Sequence, residues 1–323
     1  MSREERGVGR LGFLKGLAAG TALPLAGGCA HGCEAVRRPV VSLAHETCRV
    51  ISPLVREPVS FVLVGDTHLT VNDGRGDAFL EFTARMGGRR RESASEAESF
   101  RKTLAAAKAA KADLVALVGD QLSFPSWAGV EFLRRELDAA GVPWLYTSGN
   151  HDWHFEGMPG TEKDLRARYV KEILAPMYPD VADPLCFTRV VKGVRFVAID
   201  DSAYLIRREQ VEFWKAEAAK GDPVALVMHV PMYVPGWGVF TCGCPDWGAA
   251  KDPYWEIERR EKWRAEGPTP ESFEFREAVL STPNLVGVFT GHFHVPMNAH
   301  IRGQNLFSVV SNRGGGFLDV AIG

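Results

Sequence analysis

Five of the nine histidines in this 323-residue chain, His68, His151, His229, His292 and His294, stand where short apolar runs give way to polar residues, in company with Asp66, Asp120 and Asn150. A lone Asp or His at such a place is ordinarily a capping or hydrogen-bonding group. The same habit repeated at several strand ends points to a metal centre instead. Imidazole with carboxylate and amide oxygen, and no thiolate, suits a borderline divalent ion such as zinc, manganese, iron or nickel better than calcium, which prefers all-oxygen shells. The donors are too many for one tetrahedral ion. They fit two metals that share a bridging carboxylate.

The elements that must position them are visible as apolar, β-branched runs. Val59–Val64 stops at Gly65-Asp66-Thr67-His68, Leu114–Val118 at Gly119-Asp120, and Trp144–Thr147 just before Gly149-Asn150-His151-Asp152. Val224–Met228 stops at His229, and Leu285–Thr290 at Gly291-His292-Phe293-His294. Continuous apolar runs of this length read as strands buried on both faces. Arg195–Ile199 and Leu306–Val310 read the same way. Helices are expected over Ala97–Ala112 and over Val130–Ala140, the second closed by Gly141 and Pro143. Strand, helix, strand implies crossovers and mostly parallel pairing. Ligands of such sheets gather beyond the carboxyl ends of the strands, where the Asp, Asn and His residues fall.

Taken in order, the five blocks Gly65-Asp66-Thr67-His68, Gly119-Asp120, Gly149-Asn150-His151-Asp152, His229 and Gly291-His292-Phe293-His294 resemble those of the calcineurin-like metallophosphoesterases. The resemblance spans about Phe61 to His294. Each block is short, and only their joint order is specific. It implies an α/β fold with a central β-sandwich of two mixed sheets, flanked by helices in four layers. It implies that Asp66, His68, Asp120 and His294 hold one metal, and that Asp120, Asn150, His229 and His292 hold the other, with Asp120 bridging. His151 would be a catalytic histidine that binds no metal, with Asp152 as its orienting partner. One departure stands in the second block, where the family usually has Asp or Asn three residues after the aspartate and this chain has Ser123.

Elementary chemistry agrees with these roles. Two cations about 3.5 to 4 Å apart lower the pKa of a shared water and clamp phosphoryl oxygens during an in-line displacement. A bridging hydroxide is then the nucleophile on a phosphate mono- or diester. Asp120 must offer two oxygens. Asn150 offers a neutral carbonyl oxygen and so limits negative charge near an anionic substrate. A protonated His151 can donate to the leaving alkoxide or to a phosphoryl oxygen. Two other readings remain open here, cleavage of a pyrophosphate bond at the same centre and a metal-binding scaffold without catalysis.

Composition sets the frame. With 46% hydrophobic and 24% charged residues, the chain is neither disordered, collagen-like nor a polytopic membrane protein. Its 38 basic and 40 acidic side chains argue against a dedicated nucleic-acid binder, and the expected partner, implied by the family resemblance, is a small phosphorylated substrate. The length supplies a core that needs no metal staple. Residues 1–28 read as an export signal: a basic start with Arg3, Arg6, Arg10 and Lys15, then a short apolar stretch interrupted by Gly and Pro24. Arg10-Leu-Gly-Phe-Leu-Lys15 resembles a twin-arginine motif with Leu11 in place of the second arginine. Ala26-Gly27-Gly28-Cys29 resembles a lipobox, so lipidated Cys29 would attach the chain to a bacterial envelope membrane. A helical or disordered arm is the plainer alternative.

Residues 29–58 read as a linker and 59–323 as the phosphoesterase domain, with a lid-like insertion at about 235–270. Trp237, Trp247, Trp255 and Trp263 in that insertion offer surfaces for a substrate's organic part, or simply packing. Some pairing among Cys33, Cys48, Cys186, Cys242 and Cys244 is expected after export, and Cys242-Gly-Cys244 is a weak zinc candidate. His154 and Arg313 are lesser candidates for phosphate contacts, against an exposed loop histidine and a solvated arginine. Asp200 and Asp201 read as turn or cap residues.

Overall fold

The computed structural model describes residues 39–44, 46–71, 73–76, 78, 94–155, 158–238, 240–246 and 268–323. Residues 1–28, expected as an export signal, together with Cys29, Cys33, Trp247, Trp255, Trp263 and most of the expected 235–270 insertion, lie outside the described residues.

Two six-stranded sheets form the centre. The first runs β1 (Val40–Ala44), β2 (Thr47–Ile51), β12 (Leu318–Ile322), β3 (Val59–Val64), β4 (Leu114–Val118), β5 (Trp144–Thr147). The second runs β10 (Met297–Ile301), β11 (Gln304–Ser308), β9 (Leu285–Thr290), β8 (Val224–Val227), β7 (Val194–Ile199), β6 (Cys186–Val191). Parallel pairs β3/β4, β4/β5, β7/β8, β8/β9 and β9/β11 make up the middle of each sheet. Antiparallel β12, β6 and β10 complete them, so both sheets are mixed.

Alternation along each strand explains why the apolar runs are unbroken. Phe61 and Leu63 of β3 point into the space between the sheets, where Leu114, Ala116 and Val118 of β4 meet Phe196, Val227 and Phe289. Val62, Val64, Val115 and Leu117, the intervening residues, face outward under α1 (Ala94–Ala109) and α2 (Trp127–Ala140). On the far sheet Val197, Leu226 and Val288 are covered by α5 (Arg208–Ala218) and α6 (Pro270–Ser281), through Trp214 and Phe275. Four layers result, helix, sheet, sheet, helix. Phe61 stands edge-on to Phe196 and Phe289, with centroids 5.1 and 5.0 Å away. Such pairs add about 0.5–1.5 kcal/mol to the burial of each ring.

The expected strands 59–64, 114–118, 144–147 and 285–290 carry the bounds read from the sequence. Others differ for physical reasons. The first helix ends at Ala109 and not Ala112, because Lys111 enters the left-handed region at φ 55° while Ala112 N–H reaches back to Ala107 O. The second begins at Trp127, since Ser126 caps it by accepting the Gly129 N–H at 3.1 Å. The interval expected as a linker contains β1 and β2, and β2 pairs with β12. β2 alternates exposed and buried residues, and the edge strand β10 alternates half-buried and exposed ones, so neither shows a continuous apolar run.

Between β5 and β6 lie α3 (Asn150–Trp153) and α4 (Glu162–Tyr169).

Candidate metal centre

Each candidate donor sits immediately after a strand, on backbone that turns sharply. Asp66, His68, Asp120, His292 and His294 all have positive φ, between 48° and 74°. This region is strained for residues with a Cβ and is held only where surrounding contacts over-determine it. Those contacts are present: Asp66 N–H donates to Gly119 O at 3.1 Å, His68 N–H to Asp120 O at 2.9 Å, and Gly291 N–H to His229 O at 3.0 Å. The turns after β3 and β4 are thereby laced together in one sheet, and those after β8 and β9 in the other.

Glycine opens these turns because backbone lies against backbone there. A Cβ on Gly119 would come within 2.6 Å of both Gly149 N and His229 Nδ1. One on Gly149 would collide with the Asp120 carboxylate.

The side chains converge in trios. Asp66, His68 and His294 offer donor atoms within 4.8 Å of one another, and so do Asp120, His229 and His292. A third trio, His68, Asp120 and His151, joins the two. His68 Nε2 lies 3.0 Å from His294 Nε2, and His294 Nε2 3.4 Å from Asp66 Oδ1. Asp120 Oδ2 stands 3.2 Å from His229 Nε2 and 3.8 Å from His68 Nε2. Asn150 is fully buried at the start of α3. Asp120 is the acid common to two trios, in the place the resemblance gives to a bridge.

A divalent cation fits this donor set. His229 donates Nδ1–H to Val118 O at 2.7 Å, which directs the Nε2 lone pair to the interior, where it has no hydrogen-bond partner. Backbone carbonyls orient metal-binding imidazoles in this way. Asp66 Oδ1 is likewise buried without a hydrogen bond, while its Oδ2 accepts the His292 N–H at 2.8 Å. Burial alone would raise the Asp120 carboxyl, but the imidazoles of His229, His151 and His68 outweigh it and hold the group well below the usual carboxylate range. Burial also opposes charge on His229, and Asp120 overcomes it, lifting the imidazole to about 10. A buried carboxylate that draws positive charge so strongly is matched to a cation.

His151 is placed through its backbone: its N–H donates to Asp120 Oδ1 at 2.8 Å, and its ring lies 4.9 Å from that of His68. Asp152 has a different task from the one expected. Its oxygens accept the Leu122 and Gly149 N–H groups, each at 2.8 Å, so it fixes the turn after β4 to the start of α3. Burial, then the Asp120 charge, pushes its carboxyl up to about 7. His154, weighed as an exposed loop residue, is buried beside Trp153, with its ring 6.5 Å from that of His151. Arg313 donates Nε–H to Glu96 at 2.9 Å, and its backbone N–H approaches Asp66 O at 3.3 Å. Ser123, at the departure from the family pattern, donates to His68 O at 2.8 Å and accepts from Thr70 Oγ1 at 3.0 Å.

Two residues of the site escaped the sequence reading. Asp201, taken for a turn residue, is fully buried, and its Oδ1 accepts the N–H groups of His229 and Val230, both at 3.0 Å. Burial pushes its carboxyl up to about 8. The Tyr204 hydroxyl lies 2.8 Å from His292 Nε2. The one available signal was position, since both follow β7, whose neighbour β8 carries His229. Asp200, also read as a cap, forms a buried ion pair with Arg166. Trp237 packs edge-on against Phe293, beside the centre, with centroids 5.5 Å apart.

Cys48, Cys186 and Cys242 are free, buried thiols, and Cys244 is buried as well. No trio of donors among the described residues includes a cysteine, so Cys242-Gly-Cys244 gains no support as a zinc site. Burial pushes the Cys48 and Cys186 thiols up to about 12, which keeps them unreactive.

Known proteins place this arrangement. The family model of the calcineurin-like phosphoesterases matches residues 59–296. A dimetal phosphatase from Danio rerio superposes with a TM-score of 0.53 at 13% identity, over 80% of this chain and 91% of that one. A purple acid phosphatase from yellow lupin (Lupinus luteus) seeds gives 0.47 at 14% identity, over 84% and 47% of the two chains. A comparison with curated protein sequences finds no match. With about three quarters of its length and every strand-end block inside the matched region, the chain belongs to the calcineurin-like phosphoesterase family.

Proposed function

We propose that this protein hydrolyses a phosphate ester, mono- or diester, at a centre of two divalent cations drawn from manganese, iron, zinc or nickel. The observation that carries the reading is the pair of donor trios, Asp66/His68/His294 and Asp120/His229/His292, with both carboxylates buried and the two trios joined through His68 and Asp120. Asp66, His68, Asp120 and His294 hold one cation; Asp120, Asn150, His229 and His292 hold the other. When bound, such ions lower the pKa of water and offset negative charge on the phosphoryl group.

The chain's own residues do the rest. Asp120 stays ionised because imidazoles surround it. Asn150 adds a donor without charge, so the pocket does not repel a phosphate. His151, with its backbone held on Asp120 Oδ1, presents an imidazole N–H that can pass a proton to the leaving alkoxide. The phosphoryl group is the small shared part of the substrate, and the Trp237 side of the site, next to Phe293, is where its organic part would be selected. Residues 1–28 and Cys29 are proposed, on sequence alone, to send the protein to the bacterial envelope.

The test uses apo protein reloaded with each metal and assayed on p-nitrophenyl phosphate and bis(p-nitrophenyl) phosphate. Metal content is measured in parallel. Wild type is expected to hydrolyse at least one ester, and Asp120→Asn and His229→Ala to lose both activity and metal. Full activity in either variant refutes the ligand assignment. A metal-replete wild type that cleaves no ester points to a scaffold.

A further inference from the structure

The short loop after β7, residues 200–204, touches two of the three residues in one trio, His229 at its backbone and His292 at its ring. Ala198 of β7 pairs with Val227 of β8, so the chain leaving β7 lies beside the chain that leads to His229. Three residues on, Asp201 is fully buried, and its Oδ1 gathers the His229 and Val230 N–H groups at 3.0 Å each. The Tyr204 N–H then closes the turn on Asp201 O at 2.7 Å. Tyr204 is buried, with φ at 60°, an unfavourable conformation for an aromatic residue. That turn sets its hydroxyl 2.8 Å from His292 Nε2.

The other trio is anchored elsewhere. His68 is held through Asp120 O and Ser123 Oγ, and the Asp66 carbonyl accepts from Ser311 Oγ at 2.7 Å. Apart from the bond from the His292 N–H to Asp66 Oδ2, which involves neither Asp201 nor Tyr204, the two sets of supports come from different segments.

Resting on the dinuclear reading above, we propose that Asp201 and Tyr204 are positioning residues for one cation site alone, that of Asp120, His229 and His292. Tyr204 acts by accepting the Nε2–H of a neutral His292, which leaves the Nδ1 lone pair as that ring's ligand atom. A partner that fixes the tautomer and orientation of an imidazole also raises its affinity for a cation. Asp201 acts on His229 by fixing the backbone from which the ring projects.

The test separates the two sites before probing the loop. In a His294→Ala background, titrated manganese(II) reports on the Asp120/His229/His292 site; in a His229→Ala background, it reports on Asp66/His68/His294. Calorimetric titration of each should find Tyr204→Phe weakening manganese binding about 10- to 100-fold in the first background and leaving the second unchanged. Asp201→Ala should follow the same pattern. Asp201→Asn, which keeps an oxygen to accept both N–H groups, should restore most of the affinity. Tyr204→Phe and Asp201→Asn conserve side-chain volume, so the comparison stands even if Asp201→Ala does not fold. Equal weakening in both backgrounds, or in neither, overturns the proposal. A wild-type chain that takes up no manganese overturns the dinuclear reading first, and that is seen before any variant is made.

Discussion

Asp66 Oδ2 accepts the backbone N–H of His292 at 2.8 Å, joining the end of a strand in one sheet to the end of a strand in the other. The bond spans 226 residues of sequence. One carboxylate therefore does two things: Oδ1 is left for the Asp66/His68/His294 trio, and Oδ2 holds the Gly291–His294 turn that carries a donor of each trio. Ligation and the docking of the two sheets are coupled at this residue.

Replacing Asp66 should consequently affect both properties, and to different degrees. Asp66→Asn keeps an oxygen for the His292 N–H but loses the charge. It is expected to fold with a nearly unchanged melting temperature and to lose metal. Asp66→Ala removes the acceptor as well, leaving a buried N–H group without its partner at a cost of about 1–3 kcal/mol. Melting temperature and elemental analysis on the two variants should separate in this way, and equal stability of the two would show that the bond contributes nothing.

Gly149 offers a second test, of backbone placement. A methyl group there meets the Asp120 carboxylate, so Gly149→Ala must displace either that side chain or the start of α3. Displacement of a reacting group by about 1 Å can cost on the order of 100-fold in rate. The expected result is a loss of this order in kcat/KM on aryl phosphates. Gly193→Ala is the contrasting case: it has a positive φ of 80° but nothing within 4 Å of its Cβ position, so its strain should lower stability and spare activity.

The strand-end blocks were legible for a physical reason. A strand buried on both faces is an unbroken apolar run, as Val59–Val64 and Leu285–Thr290 are, and a glycine follows wherever a neighbouring turn leaves no space for a Cβ. Edge strands such as β10 alternate and so stayed hidden. Asp201 and Tyr204 were also hidden, because their partners are a backbone N–H and an imidazole brought near only by the pairing of β7 with β8. Asp152 shows the converse limit. Adjacency to His151 suggested an orienting role, but consecutive residues of a helix diverge by about 100°, and the carboxylate reaches Leu122 and Gly149 instead.

The Asp200–Arg166 pair predicts how stability responds to acid. Asp200 is fully buried, and although burial opposes its charge, Arg166 prevails and depresses the carboxyl below its ordinary value. Ser148 and Ser202 also hydrogen-bond to it. A depressed carboxyl contributes stability that is complete above its unfolded pKa of about 3.9 and disappears as pH falls through the lower folded value. Denaturant unfolding should show Asp200→Asn weakened at neutral pH by about 3–5 kcal/mol, since Arg166 is left buried without its partner. The gap should narrow below about pH 4, where the carboxyl of the unfolded wild-type chain begins to protonate while the folded one is still ionised. A gap independent of pH would mean that the ion pair is not the source of the difference.

His151 separates proton transfer from metal binding. Its ring is near His68, but its fixed point is the backbone bond to Asp120 Oδ1, which a change of side chain leaves in place. His151→Ala should therefore keep its metal while losing about 10²- to 10⁴-fold in kcat, the usual contribution of a positioned acid or base. If the lost function is protonation of the leaving group, the deficit must depend on the leaving group. It should be largest for alkyl esters, whose alkoxides need a proton, and small for p-nitrophenyl esters, whose phenolate leaves without one. A uniform deficit across that series would assign His151 to stabilising charge on a phosphoryl oxygen, because that oxygen is common to every substrate. A loss of metal would place the ring among the ligands, as its membership of the His68/Asp120/His151 trio allows.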